Sequence, residues 1–571
     1  MKIALAQQNY HIANFGYNTG KIIEAVKNAR EAGAELIVFS ELSVCGYPPR
    51  DFLEFRDFIN QCYAAIEEIG RHTEDIGVII GAPERNPVVQ GKDLFNSAWL
   101  IYQGKVQGVA RKSLLPTYDI FDEYRYFEPG YEWNVIEFKG KRLAITVCED
   151  LWNLGDNPLY RSCPMDELIR QSPDLMINLS ASPFDYDHDE DRKEVVRLNV
   201  LKYGLPMYYC NAVGAQTEVI FDGGSLVIND AGTIVKELAY FNEDFAVVDS
   251  DELYVSGRGS VASPPIKELG KDMRVARVSD PEKILEYLTA EHNMAQIKEA
   301  IILGIRDYFY KQGFKRAIVA SSGGIDSAVT LVLACEALGA ENVRAVLMPS
   351  AFSTSHSVTD AEALSINLNN PYDTLPIAEP YNAFLDALKP VFNDLPFDVA
   401  EENLQSRIRG TLVMAMANKF GYILLNTSNK SELATGYGTL YGDMAGGISI
   451  LGDVYKMQVY ALARFLNREK EIIPENIISK APSAELRPGQ QDSDSLPDYR
   501  LLDRILYLYI ERRMGPKEII ENGFDAALVE RVLKMVNSNE YKRNQFCPVI
   551  RVSTKAFGVG RRMPIVGKYL S

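Results

Sequence analysis

The stretch Phe314-Lys-Arg-Ala-Ile-Val-Ala-Ser-Ser-Gly-Gly-Ile-Asp-Ser-Ala328 decides how the second half of this chain folds. The run Ala317–Ala320 reads as a buried strand, Ser321-Ser-Gly-Gly324 as a turn, and a helix is expected to begin near Asp326. Strand, glycine turn and helix in that order open a parallel α/β sheet. Helix-patterned Pro281–Gln312 precedes the stretch, and further strand runs follow at Val343–Met348 and Tyr422–Leu425. The turn also has chemistry. Glycines let the backbone approach an anion, successive N–H groups form a nest, and a helix N-terminus adds its positive end. Ser321, Ser322 and Ser327 add hydroxyl donors. The loop is neither a Walker A sequence, since no Lys-Ser/Thr follows the last glycine, nor GxGxxG.

Residues 1 to about 250 carry a different version of the α/β pattern. Short apolar runs at Lys2–Ala6, Leu36–Phe39, Val78–Gly81, Leu143–Val147, Leu175–Leu179 and Met207–Tyr209 each end at a polar residue. Helical patterning covers Tyr17–Glu31 and Phe52–Ile69, and Asn96–Tyr102 with Lys105–Ala110 reads as a hairpin. The combination argues for an α/β sandwich. Between the halves, Tyr254-Val-Ser-Gly-Arg-Gly-Ser-Val-Ala-Ser-Pro-Pro-Ile-Lys267 is rich in Gly, Ser and Pro and reads as a linker. Two α/β domains are expected, residues 1–260 and 286–571, joined by 261–285. No internal repeat and no low-complexity tract is found.

Composition narrows the partners. The chain has 571 residues, of which 47% are hydrophobic and 24% charged, which is ordinary for globular domains and excludes disorder as the main theme. Its net charge of −17 argues against coating nucleic acid or an anionic membrane, but not against a small anion in a local basic pocket. No apolar stretch reaches the length of a membrane span, and Met1–Asn9 lacks the apolar core and cleavage site of a signal peptide. The seven cysteines, at 45, 62, 148, 163, 210, 335 and 547, have no CxxC spacing, so a reduced, cytoplasmic protein is expected. With five His and no HxH or HxxxH pair, catalysis must lean on Cys, Lys and carboxylates.

Three such residues stand at strand ends. Cys148 closes the run Lys141–Val147, Glu41 follows Leu36–Ser40, and Lys112 follows the strand that begins at Lys105. Functional groups gather at the carboxyl ends of strands in α/β sheets, so the three can converge. Together they supply a thiolate to attack an amide, a carboxylate to take its proton, and an ammonium for the oxyanion. Singly, each has a plainer reading: a buried Cys fills core, and a Glu or Lys after a strand is simply solvated. Only the joint pattern carries the chemistry.

The words around these residues resemble the nitrilase (carbon–nitrogen hydrolase) superfamily. They are Glu35-Leu-Ile-Val-Phe-Ser-Glu-Leu-Ser-Val-Cys-Gly-Tyr-Pro-Pro49, Lys112-Ser-Leu-Leu-Pro-Thr-Tyr118, Phe127-Glu-Pro-Gly130 and Val147-Cys-Glu-Asp150. The resemblance covers about the first 260 residues and implies an αββα sandwich. It makes Glu41 the general base, Lys112 the oxyanion stabiliser and Cys148 the nucleophile, with Cys45 structural.

The glycine loop resembles the SGGxDS loop of the ATP pyrophosphatases, which adenylate a substrate and release pyrophosphate on a Rossmann-like parallel sheet. Hard Mg²⁺ prefers one or two carboxylates plus phosphate oxygens, which makes Asp326 and Glu432 the natural pair. Lys456 fits a partner for the triphosphate or, equally, an exposed helical lysine. Asn426-Thr-Ser-Asn-Lys-Ser-Glu-Leu-Ala-Thr-Gly-Tyr-Gly-Thr-Leu-Tyr-Gly-Asp443, Glu402-Asn-Leu-Gln-Ser-Arg-Ile-Arg-Gly410 and Lys480-Ala-Pro-Ser-Ala-Glu-Leu486 are similar to NAD synthetases, from about residue 290 onward.

A nitrilase-type amidase joined to a synthetase of this kind is the architecture of the glutamine-dependent NAD synthetases. The resemblance implies amidation of deamido-NAD, with ATP activating its carboxylate, L-glutamine supplying ammonia through a tunnel, and Mg²⁺ as the metal. It implies glutamine contacts at Tyr118, Ser182 and His188. Six residues after Ser182 the family often has Lys, whereas His188 here sits in the acidic stretch Asp185–Asp191, for which a solvated loop is the equal reading. ATP contacts fall on Ala320, Ser321, Ser322, Gly323, Gly324, Ile325, Asp326, Ser327, Thr427 and Lys456. Deamido-NAD contacts fall on Asn403, Glu432 and Lys542. Leu440 stands where ammonia-only synthetases carry a lysine and is given no such role. A homo-oligomer, at least a dimer through the synthetase domains, is expected.

Three other functions compete. One is a stand-alone amidohydrolase whose C-terminal domain senses ATP without releasing pyrophosphate. Another is a nucleotide-binding scaffold with a decayed amidase site, against which the intact Glu41, Lys112 and Cys148 speak. The last is an amidotransferase to a different acceptor, excluded only by the synthetase-type words.

Overall fold

Alternation along the first strands explains the layering of the N-terminal unit. The computed structural model describes residues 1–154, 159–186, 188–255, 278, 280–393 and 395–569, and the chain divides into two units, Met1–Arg274 and Val275–Ser571. In the first unit the strands are β1 (Lys2–Gln7), β2 (Leu36–Val38), β3 (Gly77–Arg85), β4 (Leu94–Tyr102), β5 (Lys105–Arg111), β6 (Ile136–Phe138) and β7 (Lys141–Val147). They continue with β8 (Leu175–Ser180), β9 (Met207–Asn211), β10 (Val213–Gln216), β11 (Val219–Asp222), β12 (Leu226–Ile228), β13 (Ile234–Glu237) and β14 (Asp244–Asp249). Two six-stranded sheets result, ordered β14-β1-β2-β3-β4-β5 and β13-β12-β9-β8-β7-β6.

Successive strand residues face opposite sides. Ile3, Leu5, Leu36 and Val38 therefore meet Ile145, Val147, Ile177 and Leu179 of the other sheet in one buried core. Their neighbours Ala4, Ala6, Ile37 and Phe39 pack outward with Ile22, Ala25, Ile66 and Ile69 of the helices Phe15–Glu31 and Arg56–Gly70. On the far side Ala144 and Met176 pack with Val195 and Val196 of the His188–Tyr203 helix. Helix, sheet, sheet and helix form the expected αββα sandwich. Full burial of each large aliphatic side chain contributes roughly 1.5–3 kcal/mol, so each sheet is held from both faces. The hairpin turns at Gln103-Gly104, both with positive φ (51° and 69°), the geometry that matches strand twist.

One helix differs from its pattern. Phe52–Ile69 breaks at Phe55, which is extended (φ −90°, ψ 118°) between a 3-10 turn, Arg50–Glu54, and the Arg56–Gly70 helix. Asp51 and Asp57 each occupy a first turn, where a carboxylate suits the positive helix end, so two starts replace one.

In the second unit five parallel strands, β15 (Ala317–Ala320), β16 (Val343–Leu347), β17 (Tyr372–Thr374), β18 (Ile423–Asn426) and β19 (Ile448–Ser449), run in the order β17-β16-β15-β18-β19. The strand order reverses beside β15, and ligands of such sheets bind at the carboxyl ends at that switch point. The Ile325–Leu338 helix leaves β15 there, one residue before the expected start. Of the expected linker, residues 261–277 and 279 lie outside the described residues; Pro281–Lys283 is a 3-10 turn and Ile284–Leu288 a short helix. No helix among the described residues is long and apolar enough to cross a membrane.

Candidate active sites

The strand ends of the first unit do bring Glu41 and Lys112 together. Lys112 Nζ donates to Glu41 Oε1 at 2.7 Å, and both side chains are 0% exposed. Lys112 also donates to Glu123 Oε1 at 2.8 Å, and Asn96 Nδ2 donates to Glu41 Oε1 at 2.7 Å. The other Glu41 oxygen accepts the Ala181 N–H at 3.1 Å, so the carboxylate is oriented from two sides. Cys148 is buried in the same region, at the junction of β7 with a 3-10 turn, Cys148–Leu151. Its φ of +42° lies in the left-handed region, which costs a side-chain-bearing residue on the order of 1–2 kcal/mol. Asp150 holds that turn. Its Oδ2 accepts the Val147 N–H at 3.0 Å, while Oδ1 accepts the N–H groups of Ser113 (3.0 Å) and Leu114 (2.9 Å). One carboxylate thus ties the nucleophile's turn to the segment that carries Lys112.

Electrostatics link the four groups. Burial opposes the charge of Lys112, yet Glu123 and Glu41 outweigh it and push its ammonium well above the usual value. Burial and the Glu41 charge push the Cys148 thiol well up, with Lys112 pulling the other way. The resting thiol is therefore protonated and needs a base beside it. Burial and Glu41 raise Glu123 to about 7 against the pull of Lys112. One cation among two carboxylates leaves an excess of negative charge, and protonating Glu123 relieves it.

The three glutamine candidates have different surroundings. Tyr118 OH donates to Glu149 Oε2 at 2.9 Å, and Tyr160 OH reaches Glu149 Oε1 at 3.1 Å. Ser182 is buried, with its N–H on Asn211 Oδ1 at 2.9 Å. His188 is half-buried, opens the His188–Tyr203 helix and stacks on Trp152, with ring centroids 5.5 Å apart and planes 5° apart; it is not in a solvated loop. Cys45 is buried in a separate apolar cluster with Cys62. Sequence reasoning missed Glu123, Asn96 and Asn211. None belongs to a recognisable word: Asn211 does end β9, Asn96 lies inside β4, and Glu123 opens a short 3-10 turn, Glu123–Arg125, in a stretch without periodicity.

In the second unit a cavity of about 280 Å³ opens at the switch point, lined by the whole Ala320–Ser327 loop together with Thr427, Glu432 and Lys456. Gly323 has φ +76°, and a Cβ there would lie 2.1 Å from Ser357 O, so only glycine fits. Ser322 Oγ accepts the Gly324 N–H at 3.2 Å and meets Ser327 Oγ at 3.2 Å, which fixes the loop. Ser321 Oγ is buried without a partner among the described residues.

Lys456 is no exposed lysine: it is 3% exposed at the start of the Lys456–Leu466 helix. Its Nζ lies 2.5 Å from Asp326 Oδ2 and 3.5 Å from Glu432 Oε1. Asn429 joins the same two acids, donating to Asp326 Oδ1 at 2.9 Å and accepting the Glu432 N–H at 3.0 Å as cap of the Lys430–Thr435 helix. Burial and the Asp326 charge raise Glu432 to about 8, against Lys456. Asp492, missed in the sequence, lines the cavity and accepts from Tyr437 OH (3.2 Å) and Tyr499 OH (2.9 Å). No group of three or more His, Cys, Asp or Glu among the described residues is arranged to hold a metal. The Asp326–Glu432 pair, short of counter-charge, still suits Mg²⁺ where phosphate oxygens and water complete the shell.

Asn403 and Lys542 do not line the cavity but brace one wall of it. Asn403 Oδ1 accepts from Thr439 Oγ1 at 2.7 Å, and Lys542 Nζ donates to Gly436 O (2.7 Å) and Gly438 O (2.9 Å). Tyr437, between those two glycines, faces the cavity.

Comparison with known proteins covers both units. The family model for carbon-nitrogen hydrolase matches residues 2–257, and that for NAD synthase matches residues 297–546. The chain is 42% identical over 570 residues to a glutamine-dependent NAD(+) synthetase of Synechocystis sp., covering 99% of this chain and 98% of that protein. It is 40% identical over 581 residues to the Thermotoga maritima protein of the same name, covering 100% and 99%. Among solved structures, a glutamine-dependent NAD+ synthetase from Acinetobacter baumannii in complex with ADP superposes with TM-score 0.74 at 37% identity, over 99% of this chain and 98% of that one.

Proposed function

The chain belongs to the family of glutamine-dependent NAD(+) synthetases, and from that premise we propose how its own residues divide the work. It is an enzyme that amidates deamido-NAD to NAD with ATP, using ammonia hydrolysed from L-glutamine. The carboxylate is activated as an adenylate, and AMP, pyrophosphate and glutamate are released.

In the first unit Cys148 Sγ attacks the glutamine amide carbon while its proton passes to Glu41. Lys112 stabilises the oxyanion; the C–N bond breaks as Glu41 returns the proton to the departing ammonia. Glu41 next deprotonates the water that cleaves the thioester, freeing glutamate and restoring the thiol. Tyr118, Ser182 and His188 hold the glutamine. Supporting this division is the bond between Lys112 and Glu41, sealed from water beside a thiol that burial keeps protonated.

In the second unit the Ala320–Ser327 loop, Thr427 and Lys456 hold ATP, while Asn403, Glu432 and Lys542 serve deamido-NAD, the first and last by shaping the 436–439 wall. The deamido-NAD carboxylate attacks the α-phosphorus, and pyrophosphate leaves into the backbone nest. Ammonia then attacks the acyl carbon, loses a proton, and AMP departs. Asp326 and Glu432 would hold Mg²⁺, which would supply positive charge against the phosphates. Ammonia is mostly protonated and unreactive at neutral pH, so we propose that it passes between the two reactions without mixing with solvent.

A homodimer through the synthetase units is supported by the Ala378–Phe392 helix, which buries none of its residues. Phe384 and Val391 on it, and Leu395 and Val399 beyond it, are exposed. A cytoplasmic location is supported by seven free cysteines.

The observation that carries the reading is a buried carboxylate–ammonium–thiol cluster in one unit and an anion cavity floored by a glycine loop in the other. The test supplies amide-¹⁵N glutamine, ATP, Mg²⁺ and deamido-NAD together with unlabelled ammonium. Label in the carboxamide of NAD, undiluted by the ammonium, is expected. Unlabelled NAD would sink the assignment of glutamine as donor, and diluted label would sink protected transfer.

A further inference from the structure

Three cations line the cavity of the second unit, and two are neutralised by the protein. Lys456 lies against Asp326 and Glu432, and Lys480 against Glu485 at 2.7 Å. The third, Arg409, makes no ion pair among the described residues. Its Nε donates to Met348 O at 3.0 Å, and no acceptor among the described residues takes either Nη group. The carboxylates that feel its charge are otherwise engaged. Asp443 accepts the Thr439 N–H at 2.6 Å, and Glu485 is taken by Lys480, Ser357 and Thr354. Burial pushes the guanidinium below its usual value, the mark of a desolvated charge short of a partner. Arg409 is half-buried; a partly desolvated cation without a counter-ion is costly, and here the open side is a cavity.

Position says which counter-ion fits. Met348 follows β16 directly, and two residues earlier the Val346 carbonyl accepts the Ser321 N–H at 2.9 Å. The guanidinium is therefore anchored beside the strand end that carries the backbone nest, in the same cavity as Ser321–Gly324. A nucleobase is neutral and supplies no counter-charge, whereas phosphate matches the fork of a guanidinium. We infer that Arg409 binds phosphate oxygens of ATP through its Nη groups, an inference that rests on reading this cavity as the ATP site.

The test compares the full-length protein with its Arg409→Gln and Arg409→Lys variants. ATP binding, and its competition by inorganic tripolyphosphate, a phosphate chain without a base, are measured with Mg²⁺ present. Loss of one charge-assisted contact in the cavity is expected to weaken both ligands by about 10- to 100-fold in Arg409→Gln, with partial recovery in Arg409→Lys. Unchanged affinity for ATP would overturn the inference, and so would weakened ATP with unchanged tripolyphosphate, which assigns the side chain to the base. Failure of the unaltered protein to bind ATP removes the reading of the cavity itself, and the inference with it. Circular dichroism and the thermal melt of the whole protein, second unit included, report whether each variant has folded; if Arg409→Gln has not, Arg409→Lys alone must still show the parallel loss for both ligands.

Discussion

At the scale of single residues, the two units fail separately. Cys148→Ala removes the nucleophile and nothing from the second cavity, so glutamine-driven NAD formation is expected to fall at least about 10³-fold while ammonium-driven formation persists. Asp326→Ala does the reverse: pyrophosphate release is expected to stop with either nitrogen donor, because Lys456 loses its nearest carboxylate and the proposed Mg²⁺ would lose one of its two ligands. Continued release would remove Asp326 from the metal assignment. Glu123 gives a pH signature. Its carboxyl sits at about 7 in the folded protein, above its ordinary 4.5, so the folded state holds this proton more tightly than the unfolded one. The stability it contributes is complete below about 4.5 and is lost as pH rises through about 7. In Glu123→Gln, the melting temperature is therefore expected to gain on that of the unaltered protein between pH 5 and pH 8; parallel profiles would place the proton elsewhere. Glu41, Lys112 and Cys148 were legible because each ends a strand inside a recognisable word. Glu123 was not, since only folding carries its loop onto Lys112.

At the scale of elements, two turns do the positioning. The Cys148 turn is held at positive φ by Asp150, and the Ser321–Gly324 turn packs the backbone of its first glycine, Gly323, against the start of the Ser355–Leu368 helix. Gly323→Ala puts a Cβ 2.1 Å from Ser357 O in a left-handed conformation, adding about 1–2 kcal/mol of backbone strain to the clash. Loss of ATP-dependent pyrophosphate release is expected, with glutamine hydrolysis retained; a fully active variant would show that the loop tolerates movement. The glycine loop was readable from its composition and from the strand before it. The break at Phe55 was not, because apolar spacing continues across it and only the two acidic helix starts mark it.

At the scale of the whole molecule, each unit has its own sheets and core, and the proposed dimer concerns the second. Val391→Glu with Phe384→Glu places charge on the helix that buries none of its residues. Sedimentation velocity is expected to show a dimer in the unaltered protein and a monomer in the double variant, and an unchanged boundary would move the interface elsewhere. Apolar periodicity, glycine punctuation and polar residues at strand ends determined by sequence alone that there are two α/β units, that one carries Glu41, Lys112 and Cys148, and that the other opens on Ser321–Ser327. These are local properties, written in neighbouring residues. Which charges are paired was decided only in three dimensions. Lys456 is clasped by Asp326 and Glu432, Lys112 shares two glutamates, and Arg409 is left at the cavity without an ion pair among the described residues. Desolvation and Coulomb energy depend on distances between residues that lie far apart along the chain, and those distances exist only once the sheets have formed.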